Sequence, residues 1–192
     1  MKQSVKDLQT LIVQSGDRVD IDGIYGKQTR GAIERMRVPN WLKTAMKEIG
    51  VRETHGVRHT ERVLQYHEVS GGFSTDEIPW CASFVNWVML QHVDKTVPTP
   101  ARARSWMHFG KSTHPIVGSI AVKSRSGGGH VCFVVGKDMA GNLYCLGGNQ
   151  NDEVNIRKYK REVFMDFRVP STYKCDDLPY YALHDNGGNK EA

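Results

Sequence analysis

The spacing of apolar positions changes near residue 100. Before it they recur at helical intervals; after it they alternate or run in short blocks, as strands do. Val5, Leu8, Leu11 and Ile12 fall on one face of a first predicted helix, and Ala32, Ile33 and Met36 on one face of a second. Trp41, Leu42, Ala45, Met46 and Ile49 make a third amphipathic face that ends near Gly50. A helix is predicted over residues 60–68, and a largely apolar one over residues 82–91 with Pro79 in its first turn. Past the loop from Pro98 to Pro100, strands are predicted over residues 119–123, 130–135, 143–146, 154–159 and 164–169, joined mostly by Gly or Asn turns. Helices followed by antiparallel strands predict an α+β fold. Residues after Pro170 read as surface, and Asn186 to Ala192 as a frayed tail.

Residues 4–36 carry a pattern of their own. Asp22-Gly23-Ile24-Tyr25-Gly26 lies between the first two helices, and its glycines can take the left-handed conformations a tight loop needs. Together with Val5, Leu8, Gln9, Gly16, Thr29, Ala32 and Ile33, this loop resembles the peptidoglycan-binding domain common in bacterial and phage cell-wall hydrolases. Leu8, Ile24 and Ile33 are expected in the core of a small helical unit, so a wall-binding role would fall to the loop, at Asp22 and Tyr25. Asp20 and Asp22 hint at a calcium loop, but the other ligands of an EF-hand are missing, and no metal is expected. Arg37-Val38-Pro39-Asn40 marks a boundary, because Pro39 disfavours helix in the residue before it and Asn40 can cap the third helix. The expected division is a helical domain over residues 1–37, a second domain over 41–172 and an extension over 173–192.

With 192 residues, 39% of them hydrophobic and 24% charged, the chain has material for an ordinary globular core. A formal charge of +5 favours an anionic partner: nucleic acid, a lipid surface or an acidic polymer such as a bacterial envelope. The basic residues are scattered, and the densest run, Arg157 to Arg161, alternates like a solvated strand face, which argues against nucleic acid. No apolar window approaches the roughly 18 residues of a membrane span, and the first residues lack a signal-type apolar stretch. A protein left in the cytoplasm, without membrane insertion, is therefore expected. Four irregularly spaced cysteines, without a C-x-x-C pair, suggest free thiols rather than a disulfide framework or zinc. His55 and His59 have helical metal spacing, but Gly56 weakens the helix and no third ligand is apparent.

Candidate chemistry centres on Cys81, at the start of the apolar helix after Pro79-Trp80. A helix N-terminus and a nearby imidazolium lower a thiol's pKa from about 8.5 toward roughly 3.5–7.5. The cysteine's own backbone N–H, in the first turn, can donate to a developing oxyanion. The plain alternative is a small buried hydrophobe. His130 comes after the side-chain-poor run Ser124 to Gly129 and opens a strand; it is the candidate general base, against the alternative of a structural histidine. If Val135 and Leu143 flank a hairpin, the register returns Gly148 and Asn149 beside His130, making Asn149 the expected orienter of the ring, with Gln150 and Asp152 behind it. Asp76 and Glu77 either cap the helix of Cys81 or contact an amine of the substrate. Trp80 and Trp106, if partly exposed, would line a substrate groove together with Gln150; otherwise they are core.

These residues also carry a resemblance. The stretch from Asp76 to Trp87, with Ala103-Arg104-Ser105-Trp106, Gly118 to Val122, Gly129-His130-Val131 and Leu146-Gly147-Gly148-Asn149-Gln150, resembles the CHAP-type cysteine amidohydrolases and peptidases, close to their NlpC-like relatives. The resemblance implies a papain-like α+β domain that hydrolyses amides of peptidoglycan without a cofactor. It assigns Cys81 as nucleophile, His130 as base and Asn149 as third member. Many CHAP domains carry an acidic residue two positions before that asparagine, where this chain has Gly147. The acidic calcium loop of some members is absent as well. The expectation is a monomeric phage-type endolysin, a muramoyl-alanine amidase or endopeptidase held in the host cytoplasm and released onto the wall. A transglutaminase-like acyl transferase and a non-catalytic wall-binding protein are the alternatives.

Overall fold

A computed structural model describes residues 2–183 apart from positions 57, 126 and 176; the predicted tail at Asn186 to Ala192 lies outside the described residues. Five helices precede the sheet: α1 (Lys2–Gln14), α2 (Lys27–Arg35), α3 (Asn40–Lys47), α4 (Glu61–Glu68) and α5 (Cys81–Met89). The 3₁₀ helix Ala103–His108 then leads into β1 (Lys111–Ser112), β2 (Ile120–Arg125), β3 (Gly128–Lys137), β4 (Leu143–Gly147), β5 (Asn155–Tyr159) and β6 (Phe164–Val169). The 3₁₀ helix and the short β1 were not predicted, since neither is long enough to show a period. All strand pairs are antiparallel, in the order β1-β6-β2-β3-β4-β5.

The helical faces predicted from spacing are the buried ones. Val5, Leu8, Leu11 and Ile12 of α1, Ala32 and Ile33 of α2 and Leu42, Ala45 and Met46 of α3 all lie in the main core. Two local expectations change. Asn40 is the first helical residue of α3, and its N-cap is Pro39, with no side-chain cap. The N-cap of α5 is Trp80, which moves Pro79 out of the helix's first turn.

Successive residues of β3 serve different cores, as strand alternation requires. Val131, Phe133 and Val135 join the main core under the helices, where Phe84 of α5 packs edge-on against Phe133 at 6.3 Å. Cys132 and Val134 join a smaller cluster with Ala121, Leu143, Cys145, Phe164 and Phe167 on the other face. The sheet curls around this second cluster. β5 and β6, at separate places in the strand order, are linked by the short 3₁₀ helix Arg161–Val163 and meet where Tyr159 touches Phe164 at 5.6 Å.

The segment after Pro170 is not merely surface. Tyr181 is 6% exposed and packs over Gly136, where an added Cβ would come within 2.4 Å of the tyrosine ring. Its hydroxyl bonds Ser15 at 3.0 Å, and the Ala182 N–H donates to Gln14 Oε1 at 2.7 Å, so the segment ties β3 to the end of α1.

Candidate functional site

Cys81 is the first residue of α5 and is 5% exposed. It opens on a cleft of about 650 Å³ lined also by Pro79, by Arg102, Arg104, Ser105 and His108 from the 3₁₀ segment, by Arg125 at the end of β2 and by Gly127 to Gly129 at the β2–β3 turn. Of the side-chain-poor run before His130, Arg125 and the three glycines border the cleft; Ser126 lies outside the described residues. Gly129 is also closely fitted, since an added Cβ would meet the Lys123 carbonyl and Arg104 side chain at 3.2 Å.

The body of α5 covers the Val131–Phe133 face of the sheet. Gly148 permits this approach: a Cβ there would lie 2.5 Å from Cζ3 of Trp80 and 2.8 Å from Cβ of Phe84. His130 leaves β3 on the other face, which it shares with Cys132. Cys81 therefore meets β3 at its open end, in the cleft that includes Gly129, one residue before His130.

His130 is 1% exposed, and its Nε2 lies 3.2 Å from Oε1 of Gln150. The amide of Gln150 is held in one orientation. Its Nε2 donates to the carbonyl oxygen and Oδ1 of Asn155 at 2.8 and 2.9 Å, and its Oε1 accepts from the Tyr159 hydroxyl at 2.9 Å. With Oε1 an acceptor, Nε2 is the ring nitrogen placed to donate, which leaves Nδ1 as the nitrogen placed to accept a proton. Tyr159 lies 6.2 Å from the ring, and the Lys123 ammonium stands 4.9 Å over the tyrosine face.

The side chain hydrogen-bonded to the ring is Gln150 rather than the expected Asn149. Extending the Phe133–Leu146 register does set Asn149 opposite His130, but Asn149 turns the chain with φ of +54° and its Oδ1 is buried without a hydrogen-bond partner. Gln150, fully buried, holds the ring instead and is not a substrate-groove residue. Gly147 supplies the reason: a Cβ on it would lie 2.9 Å from Cβ of Cys132 and 3.1 Å from Cδ and Oε1 of Gln150. The Gln150 amide thus occupies the space that a side chain at position 147 would need.

The other expected substrate-binding residues divide in the same way. Trp80 and Trp106 are fully buried, their Nε1 atoms donating to Glu53 Oε2 at 3.0 Å and to the Pro100 carbonyl at 3.1 Å, so neither lines a groove. Asp76, fully buried, neither caps α5 nor faces the cleft. It accepts from the N–H groups of Thr60 at 2.7 Å and Thr54 at 3.1 Å and pairs with Nδ1 of His59 at 2.8 Å, pinning the loop before α4. Burial alone would raise its pKa, but these donors together hold it below the usual carboxylate range. Glu77 is exposed, outside the cap of α5.

In the N-terminal loop, Asp22 accepts from the Ile24 N–H and from Gln9 Nε2, both at 2.8 Å, and so shapes the turn. Tyr25 points inward; its hydroxyl is buried without a partner, and burial pushes its pKa up to about 12.

Cys132 and Cys145 are buried on the face of His130. Burial, with a hydrogen bond to Cys145, drives the Cys132 thiol well above its usual range, which unfits it as a nucleophile at neutral pH. The residues that sequence reasoning passed over are Arg102, Arg104, His108 and Arg125. Arg104 lies within one of the motifs that carry the resemblance and Arg125 within the run before His130, but only folding gathers the four on one cleft with the thiol. No curated protein matches the chain. The CHAP domain family matches residues 73–149, from the loop before α5 through Cys81 and His130 to Asn149; this stretch is similar to CHAP domains, which generally imply peptidoglycan hydrolase, amidase or peptidase chemistry.

Proposed function

We propose that the protein is a thiol-dependent peptidoglycan amidohydrolase, a phage-type endolysin in which Cys81 is the nucleophile, His130 the general base and Gln150 the residue that orients the base. The reading is carried by the position of Cys81 in the leading turn of α5, on a cleft it shares with Gly129, one residue before an imidazole whose tautomer Gln150 fixes. In this reading His130 Nδ1 takes the thiol proton, and Sγ adds to the amide carbonyl of a stem peptide. First-turn N–H groups of α5 donate to the oxyanion. The tetrahedral intermediate expels the amine, which leaves with the proton held by the imidazolium. Water, deprotonated by the same ring, then hydrolyses the thioester and restores the thiol.

Purified peptidoglycan digested with the parent protein and with Cys81→Ala, with mass spectrometry of the released ends, tests this. New amino termini or freed lactyl groups from the parent alone support a thiol hydrolase and name the bond cut. Equal absence of release from both favours a binding protein, and new crosslinks without free amines favour an acyl transferase. The N-terminal resemblance supports wall recognition by residues 1–37; sedimentation of Cys81→Ala with intact walls, with and without Asp22→Ala, measures it.

A further inference from the structure

Resting on the hydrolase reading above, we propose that the cleft in front of Cys81 selects substrates that carry a free carboxylate close to the scissile amide. Arg102, Arg104 and Arg125 converge on the cleft from two separate elements, His108 joins them, and no acidic residue is among the described residues lining it. Three guanidinium groups thus border the concave space that holds the nucleophile. Gathering like charges is unfavourable unless something compensates it, and among the described residues neither Arg102 nor Arg104 is paired with a carboxylate.

Arg104 is exposed, yet it is anchored, since its Nη2 donates to Ser124 Oγ at 2.7 Å. That contact uses one of five N–H donors and fixes the plane of the guanidinium against the β2 wall. A planar fork of donors matches a carboxylate in two parallel hydrogen bonds. A carboxamide presents one oxygen and a competing donor in the same place and carries no charge. The cleft therefore distinguishes a stem peptide with free carboxylates from the same peptide with those groups amidated.

The experiment uses the full-length Cys81→Ala protein, so that binding is read without turnover. Isothermal titration compares a synthetic stem peptide bearing free carboxylates with its carboxamide form. A charge-assisted pair predicts affinity for the free acid about tenfold tighter or more. Adding Arg102→Gln and Arg104→Gln, both at exposed positions, should bring the ratio close to one, with thermal unfolding confirming that the protein remains folded. Equal affinities for the two peptides, no binding of either, or a preference that survives both arginine changes would overturn the proposal. The two readings fail separately. A parent that releases no new ends while Cys81→Ala keeps its preference removes the hydrolase reading alone. A parent that cuts walls while Cys81→Ala binds both peptides equally removes the carboxylate reading alone.

Discussion

Replacing Gln150 by leucine separates the positioning of His130 from the stability of the loop that holds it. Leucine removes the 3.2 Å contact to the imidazole, and with it the group that keeps the proton on Nε2. One neutral hydrogen bond contributes about 1–1.5 kcal/mol net. With the ring also free to adopt the wrong tautomer or orientation, kcat should fall roughly tenfold to a hundredfold, while KM changes little because Gln150 lies outside the cleft. The same change strips partners from the Asn155 carbonyl and the Tyr159 hydroxyl. At these half-buried positions two lost hydrogen bonds cost about 1–3 kcal/mol, a fall in Tm of about 3–10 °C for a chain of this size.

Gln150→Glu divides the two effects. It keeps an acceptor for the ring N–H and for Tyr159 but loses the donors to Asn155, so kcat should recover toward the parent while Tm stays low. Rates on a soluble stem peptide, measured well below each variant's unfolding range, provide the assay. The reasoning is refuted if Gln150→Leu retains near-parental kcat while Asn149→Ala, which removes an unpartnered oxygen, loses tenfold or more.

Other substitutions test the frame around the site. Gly148→Ala sets a methyl 2.5 Å from Trp80 and should destabilise by about 1–3 kcal/mol while displacing α5, read as a lower Tm together with slower alkylation of Cys81. Asp76→Ala leaves the Thr54 and Thr60 N–H groups without their acceptor and should cost about 2–4 kcal/mol, seen in urea unfolding. Glu153 is 4% exposed; burial alone would raise its pKa, but Arg52 and Ser4 donate to it and hold it below the ordinary value. A depressed carboxyl stabilises the fold above the unfolded pKa of about 4.3, and the contribution is lost as pH falls through the lower folded value. Unfolding free energies of the parent and Glu153→Gln should therefore differ at neutral pH and converge in acid; a constant gap at every pH would refute this.

The helical faces, the five longer strands and the antiparallel class of the sheet were legible in the sequence because each element repeats its pattern over enough residues to define a period; the strand order, with β6 between β1 and β2, was not. The leading position of Cys81 came from the same spacing. The partner of His130 was not legible. Register arithmetic brings Asn149 opposite the histidine, but it carries no sign of the positive φ angles at Asn149, Asn151 and Asp152, which reset the direction of each side chain. The tryptophans were equally opaque: an aromatic ring beside a nucleophile has the same sequence signature whether its indole N–H meets substrate or, as for Trp80, a carboxylate behind the helix. The arginines of the cleft come from segments more than twenty residues apart, Arg102 and Arg125, and only the packing of the 3₁₀ segment against β2 and β3 brings them together.

The loop that carries Gln150 explains why the N-terminal helices share one core with the sheet. Three non-glycine residues with left-handed backbone in one short turn are unfavourable by themselves, so the surroundings must impose the shape. Residues 50–54 do so from one side: the Gly50 N–H donates to the Val154 carbonyl, Glu53 to Asp152, and Val154 returns a bond to Val51. α1 acts from the other side, where Ser4 Oγ donates to Glu153 Oε1 at 2.7 Å while Arg52 holds Oε2 at 2.7 Å. Glu153 in turn accepts the Gln150 N–H through its carbonyl. A continuous series of hydrogen bonds thus runs from the first turn of α1 to the imidazole of His130. Ser4→Ala, far from the cleft, should consequently lower kcat as well as stability, whereas a loss confined to wall binding would mean that α1 and the site act independently.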